Sequence, residues 1–305
     1  MTPATNLVSD VDQYGTDDKC RETLMHLRWP DGVKCLRCNS DKVSDELISD
    51  RKVFVCYSCR YQFSVTVDTI FHDSHLPLTK WFLVTYLLCE SKKGMSANQI
   101  KRMMGISYKT AWYLCHRIRK AMAEADGHLL TGKVEIDETY VGGKRRGLGR
   151  AYKGNKTAVI GIRERGGHLH FIAARDLNQS KLYEIIARNV DKTVDVIMTD
   201  ESTLYNFKTT KYHKAKHATV NHSAGEYVVG DVTTNGIESA FSLLKRGIMG
   251  TWHRVSVKHL PAYLQEMTWR YNNRKNPHLF RDTIVRLIAA EHVEYKQLTA
   301  DKNAA

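Results

Sequence analysis

The stretch KVEIDETYV at Lys133–Val141 alternates: Val134 and Ile136 point to one side, Glu135, Asp137 and Thr139 to the other. Alternation with period two marks a half-buried strand, here one that carries acids in its middle. Working outward, Thr157–Arg163 and His168–Ala174 read as two more strands joined at Gly166-Gly167, a hairpin turn signal. An amphipathic helix follows over about Ser180–Asn189, and VDVIMTDES (194–202) is an apolar strand that ends in Asp200. Farther on, TNGIESAFSLLKRG (234–247) reads as a helix whose apolar side is Ile237, Phe241 and Leu244. Glu238 and Lys245 are two helical turns apart and share one of its faces.

Three strands, a helix and a further strand with an acid at its end match the start of an RNase H-like α/β fold, a mixed sheet with helices. Asp137 and Asp200 on neighbouring strands and Glu238 on a helix could gather two divalent cations. Two metals ~3.5–4 Å apart activate a water or a DNA 3′-hydroxyl and stabilise the leaving oxygen of an in-line phosphoryl transfer. Oxygen ligands suit Mg²⁺ or Mn²⁺. Each acid also has an ordinary reading. Glu238 follows Asn235 by three residues and could complete a capping box. Asp200 could close a strand-end turn, and Glu135 and Glu138 read as solvated or salt-bridged. The ordered set carries the signal, not any single acid.

Upstream, Cys35-x-x-Cys38 and Cys56-x-x-Cys59 are two knuckles at zinc-ribbon spacing. Strand-like runs at Val43–Ile48, Lys52–Val55 and Gln62–Val67 surround the second knuckle. A ribbon this small buries too little apolar surface alone, so a structural Zn²⁺ would be part of its folding energy. Cys20, Cys89 and Cys115 fit no ligand pattern, and the last two read as core residues.

Between ribbon and sheet, Ser96–Met122 reads as a helix-turn-helix. Ser96 with Gln99 opens a first helix, Gly105-Ile106-Ser107 is the turn, and Ser107 caps a second helix. Ala111, Cys115, Ile118 and Met122 form its buried stripe. The other face shows Tyr108, Lys109, Thr110, Tyr113, His116, Arg117 and Lys120. In such a motif the start of the second helix meets base edges, which assigns Tyr108, Lys109 and Thr110 to bases. Arg117, Arg119 and Lys120 are then placed for phosphates. An ordinary helical hairpin with a solvated basic face is the alternative.

Charge supports a polyanion partner. The net charge of +13 is divided as −3 over residues 1–75, +6 over 76–130 and +10 over 131–305. Gly142–Arg165 holds eight of the basic residues, among them Lys144, Arg145, Arg146, Lys156, Arg163 and Arg165, against Glu164 alone. It reads as a basic loop that grips DNA phosphates beside the acids. His213, His217 and His222 lie near several lysines and suit a DNA-facing or structural role better than a second zinc site. The longest mainly apolar run, Trp81–Cys89, is too short for the ~20 residues of a membrane span. The polar, acidic N-terminus is no signal peptide, and the tight cysteine pairs fit a reducing cytoplasm.

These motifs together resemble the bacterial insertion-sequence transposases of the zinc-ribbon, DDE (RNase H-like) type. The resemblance spans nearly the whole chain. It rests on LRWPDGVKCLRC (27–38), QFSVTVDTIFHDSHLPLTKWF (62–82), SKKG (91–94), YKTAWYLCHRIR (108–119), VEIDETYVGGK (134–144) and TTNGIESAFSLLKRG (233–247). It implies that Asp137, Asp200 and Glu238 are the catalytic acids and Lys245 the downstream basic residue. Some relatives carry Asn where the third acid is expected; the lysine spacing favours Glu238, with Asn235 as a supporting group. The implied partners are DNA, both terminal inverted repeats and target, and further copies of the chain on that DNA, with no membrane. The expected division is a ribbon at 1–75, a helix-turn-helix segment at 76–130, a catalytic domain at 131–290 and a tail at 291–305. A DNA-binding regulator without catalysis and a nuclease or resolvase on the same fold are the rival readings.

Overall fold

A computed structural model describes residues 12–44, 52–123, 127–142, 156–205, 216–220, 228–229 and 232–300. The chain forms two compact units, one of residues up to Met122 together with those from Asn276 onward, the other of Ala123–Lys275.

The first unit begins with α1 (Asp17–Arg28), whose N-cap Thr16 accepts from the Lys19 amide. A two-residue pairing of β1 (Phe54–Val55) with β2 (Gln62–Phe63) follows, far shorter than the strand runs read from sequence. Residues 45–51 lie outside the described residues. Helix α2 (Leu78–Glu90) buries Leu78, Trp81, Phe82, Val84, Leu88 and Cys89, too many sides for a surface helix, so it is the centre of the unit. Helices α3 (Ala97–Met104) and α4 (Tyr108–Ala121) start at Ser96 and Ser107, whose hydroxyls accept from Gln99 N (3.2 Å) and Thr110 N (3.1 Å). Gly105, at φ +61°, supplies the left-handed residue that ends α3. Ala111, Cys115, Ile118 and Met122 are fully buried.

The second unit is a sheet covered on both faces. Strands β3 (Lys133–Val141), β4 (Thr157–Glu164) and β5 (Leu169–Ala174) form an antiparallel meander. Helix α5 (Gln179–Asn189) carries the chain back to β6 (Val196–Asp200), parallel to β3, and β7 (Lys216–Val220) pairs parallel to β6. The strand order is β5-β4-β3-β6-β7. This is the mixed sheet expected from the sequence. Val134, Ile136, Ile160, Ile162 and Ile197 pack with Leu182 and Ile186 of α5. After the short pairing of β8 (Val228–Val229) with β9 (Val232–Thr233), helix α6 (Asn235–Gly247) covers the opposite face. Its Ile237, Phe241 and Leu244 meet Val159 and Phe171, and α7 (Leu260–Asn272) adds Tyr263, Leu264 and Met267 to the same cluster after a π-helical turn at Ile248–Trp252. Gly161 lets α6 come this close: a Cβ there would stand 2.5 Å from Ile237 Cδ1.

The chain then returns to the first unit. Helix α8 (Leu279–Ala289) buries Leu279, Phe280, Ile284 and Leu287, and α9 (Tyr295–Thr299) follows. Phe280 packs edge-on against Phe82, Thr283 Oγ1 lies 3.3 Å from Cys89 Sγ, and the Ile70 amide donates to the Leu287 carbonyl. The sequence expectation placed residues up to 290 with the sheet. The apolar side of α8 instead completes the core around α2. No helix among the described residues is long and apolar enough to cross a membrane.

Candidate active site

Strand alternation puts Glu135, Asp137 and Thr139 on the face that α6 covers. Asp137 stands across from Gly161 in the β3–β4 register, and its carboxylate accepts from the Glu138 amide (2.8 Å). Asp200 ends β6, and its carboxylate accepts from Ser202 N (3.1 Å), an Asx turn. Glu238 lies in the first turn of α6, where it accepts from the Thr234 hydroxyl (3.1 Å). Burial pushes the Asp137 carboxyl up to about 7, and the charges of Glu138, Asp200 and Glu238 add to the rise while the Glu138 amide opposes it. The fold thus brings Asp200 of β6 and Glu238 of α6 within electrostatic reach of Asp137 on β3. Neither Asp137 nor Asp200 has an ion pair among the described residues.

Glu138 points to the other face, where the Tyr205 hydroxyl donates to its Oε2. Asn235 is exposed, its amide donating to Thr233 Oγ1 (3.2 Å), and Lys245 is exposed two turns along α6. The capping-box reading of Glu238 with Asn235 does not hold, because Asn235 is the first residue of α6 and Thr234 its N-cap. Glu135, 1% exposed, accepts from Ile237 N at 2.8 Å and pairs with Arg163 (3.3 Å) and Arg165 (3.4 Å). Two basic residues read as loop phosphate contacts are therefore committed to a buried carboxylate. Sequence reading left Glu135 without a function; its place two residues before Asp137 on the acid face was the available signal. Lys144, Arg145 and Arg146 lie outside the described residues, as do His213 and His222. His217 on β7 places Nε2 2.9 Å from Thr199 Oγ1, a structural contact.

The four knuckle cysteines converge with all ligand atoms within 4.8 Å of one another. Cys35 and Cys59 are 3.6 Å apart at Sγ, as are Cys38 and Cys56. A tetrahedral Zn²⁺ with Zn–S near 2.3 Å sets its sulfurs about 3.8 Å apart, so the set fits the metal. Burial pushes the Cys56 thiol up, but the amides of Cys59 and Ser58 and the neighbouring thiols outweigh it and bring it down to about 6. This favours the thiolate that zinc requires. Among the described residues only these cysteines form so tight a ligand group.

The outer face of α4 differs from expectation. His116, Arg117 and Arg119 are buried. Arg117 donates to the Ile70 and His72 carbonyls, the latter at 2.8 Å, and lies over the Trp81 ring. The Tyr113 hydroxyl donates to the Val293 carbonyl. His292, Val293 and Tyr295 cover the helix at Tyr113 and Arg117, and Arg119 reaches the Met95 carbonyl (3.5 Å), so neither arginine is open to phosphate and Tyr113 is turned inward. Tyr108, Lys109 and Lys120 are exposed and Thr110 is half-buried. The Lys109 ammonium sits 4.4 Å from the Tyr295 ring centroid.

Comparison with known proteins agrees with this architecture. Residues 129–272 match the ISXO2-like transposase domain, and residues 15–62 match the transposase zinc-ribbon domain. A protein of Halobacterium salinarum described as an uncharacterized protein in transposable element ISH50 is 30% identical over 287 residues, covering 88% of this chain and 95% of that protein. A crystal structure of a pre-cleavage Mos1 transpososome shares 9% identity over 67% of this chain and 77% of that one, with a TM-score of 0.24, too low to carry a structural argument. The two matched domains make the chain a zinc-ribbon transposase. The chain belongs to the IS1595 family of these transposases.

Proposed function

We propose that this transposase binds the terminal inverted repeats of its element, cuts the DNA at those ends and joins them to a target. The observation that supports the chemistry best is the shared electrostatics of Asp137, Asp200 and Glu238 on one face of the sheet. These three residues would hold Mg²⁺ or Mn²⁺, which when bound supplies activation of the attacking hydroxyl and stabilisation of the leaving oxygen. The chain's own groups orient the acids. The Glu138 and Ser202 amides fix the carboxylates of Asp137 and Asp200, and the Thr234 hydroxyl fixes Glu238. Exposed Lys245 offers a cation to the phosphate backbone beside Glu238. At the start of α4, Tyr108, Lys109 and Thr110 meet base edges, and Lys120 holds phosphate.

The test is cleavage and strand transfer of a labelled end duplex by the full chain. Asp137→Asn, Asp200→Asn and Glu238→Gln should each abolish both while leaving end binding intact, since an amide keeps the shape and removes the charge. Activity should need Mg²⁺ or Mn²⁺ and fail in Ca²⁺, whose coordination is looser. Glu238→Gln cutting like wild type while Asn235→Ala is dead would make Asn235 the third residue. Full activity in all three amide variants would refute the three-acid reading. Cutting of branched DNA without strand transfer would favour a nuclease.

A further inference from the structure

We infer that Glu135 is a positioning residue: it locks the start of α6, and with it Glu238, to the strand that carries Asp137. The inference rests on the reading of Asp137, Asp200 and Glu238 as cation ligands. A helix N-terminus exposes amides that need acceptors. At α6 the N-cap Thr234 makes no side-chain capping bond. The acceptor for Ile237 N is Glu135 Oε2, 102 residues earlier in the chain. A carboxylate is also favoured by the helix dipole at this end. Ile237 directly precedes Glu238, so any slide of the helix start moves the third acid. Glu135 and Asp137 are two residues apart on one strand face, so the first acid and the clamp on the third share one rigid element.

The remaining freedom is removed by packing. Gly161 lies opposite Asp137, and Ile237 and Phe241 of α6 fill the space a side chain would take there. A Cβ on Gly236 would stand 1.4 Å from Arg163 Nη1 and 2.5 Å from Glu135 Oε2, so the guanidinium lies directly on the first turn of α6. Arg163 is held in turn by the Tyr271 hydroxyl of α7 (3.0 Å). Arg165 reaches from Glu135 to Met198 Sδ on β6 (3.3 Å), two residues before Asp200, and to the Thr233 carbonyl at the entry to α6 (3.5 Å). One buried carboxylate and two arginines therefore tie together the elements that carry all three acids. The arginines also balance the charge of Glu135, so it does not compete with Asp137 for a cation.

The test uses the full-length, zinc-loaded chain. Mn²⁺ binding is read from the electron paramagnetic resonance signal of the free ion, cleavage of a labelled end duplex is followed against Mn²⁺ concentration, and folding is followed by thermal melting. Outer groups that orient metal ligands typically change metal affinity about 10–100-fold, and Glu135→Gln should weaken Mn²⁺ binding by that factor. Its cleavage should fall at low Mn²⁺ and return towards the wild-type rate at saturation, with end binding unchanged. Asp137→Asn should not recover at any concentration. Gly236→Ala leaves every charge in place but displaces the helix start; it should repeat the Glu135→Gln pattern, and it decides the matter if Glu135→Gln does not fold. Wild-type Mn²⁺ affinity and cleavage in the folded variants would overturn the inference. So would a loss that tracks only the unfolded fraction and does not respond to Mn²⁺. If Asp137→Asn and Glu238→Gln themselves bind Mn²⁺ and cut normally, the three-acid reading fails first.

Discussion

The four knuckle cysteines and the three acids proposed to hold a catalytic ion are built in opposite ways. The four cysteines come from two tight turns in a ribbon whose buried residues are few, among them Val43, Phe54 and Phe63. The three acids come from two strands and a helix inside two large apolar clusters. In the ribbon the ligand atoms are already gathered, and the metal does the work a core would do elsewhere. In the sheet the core does that work, and burial among its neighbours pushes the Asp137 carboxyl up to about 7. A closed set of sulfurs suits a structural ion and an open set of oxygens suits one that meets substrate. A zinc ion in the first would add to folding energy, whereas the second carries the cost of burying Asp137.

The sharpest break of this comparison is removal of ligands. Replacing Cys35 and Cys56 by Ser should abolish zinc content and unfold the ribbon. Hydrogen exchange should show the loss around β1 and β2 while β3–β6 stay protected. Apparent zinc-binding energies in such modules are of order 10–16 kcal/mol, so this is the largest effect expected. Folded, zinc-free wild type would end the structural-zinc reading. Asp137→Asn should do the reverse: cleavage is lost while the melting temperature stays equal or rises, because a destabilising charge has been removed. A large drop in melting temperature would place Asp137 in the folding machinery.

Smaller effects separate the two kinds of basic residue on α4. Arg117→Ala strands the Ile70 and His72 carbonyls inside the first unit, at about 1–3 kcal/mol for each unsatisfied group. Urea unfolding should show the loss, and the folded fraction should keep its preference for end sequence. Lys109→Ala should leave stability near wild type and cost about 1–3 kcal/mol of discrimination between end and random DNA if it reads a base edge. Lys120→Ala should weaken both DNAs equally and lower the slope of log affinity against log salt by about 1. An unchanged slope would remove Lys120 from the phosphate contacts.

What could be read from the chain alone follows from how local the cause is. The bounds of β3 coincide with the alternation in KVEIDETYV, and α6 with the apolar spacing of Ile237, Phe241 and Leu244, because each pattern lies within one element. The caps at Ser96 and Ser107 were legible for the same reason. The outer face of α4 was not. Helical periodicity shows that Arg117 lies off the Ala111–Ile118 stripe, but its partners are Ile70, His72 and Trp81 upstream and His292, 175 residues downstream. Glu135 is a similar case. Its alternation places it beside Asp137, yet its meaning depends on Arg163 of β4, Arg165 in the turn after it and Ile237 of α6.

The helical unit is interrupted in sequence by the whole of Ala123–Lys275. On a ribosome this sets an order of events. The core around α2 lacks Phe280, Ile284 and Leu287 until the sheet unit has been made. At about 5–20 residues per second that wait is on the order of ten seconds. For that time Trp81, Phe82 and Leu88 have no lasting cover from α8, whereas the sheet unit has every strand it needs. The sheet-bearing half should therefore reach its fold on the nascent chain before the half that holds α4.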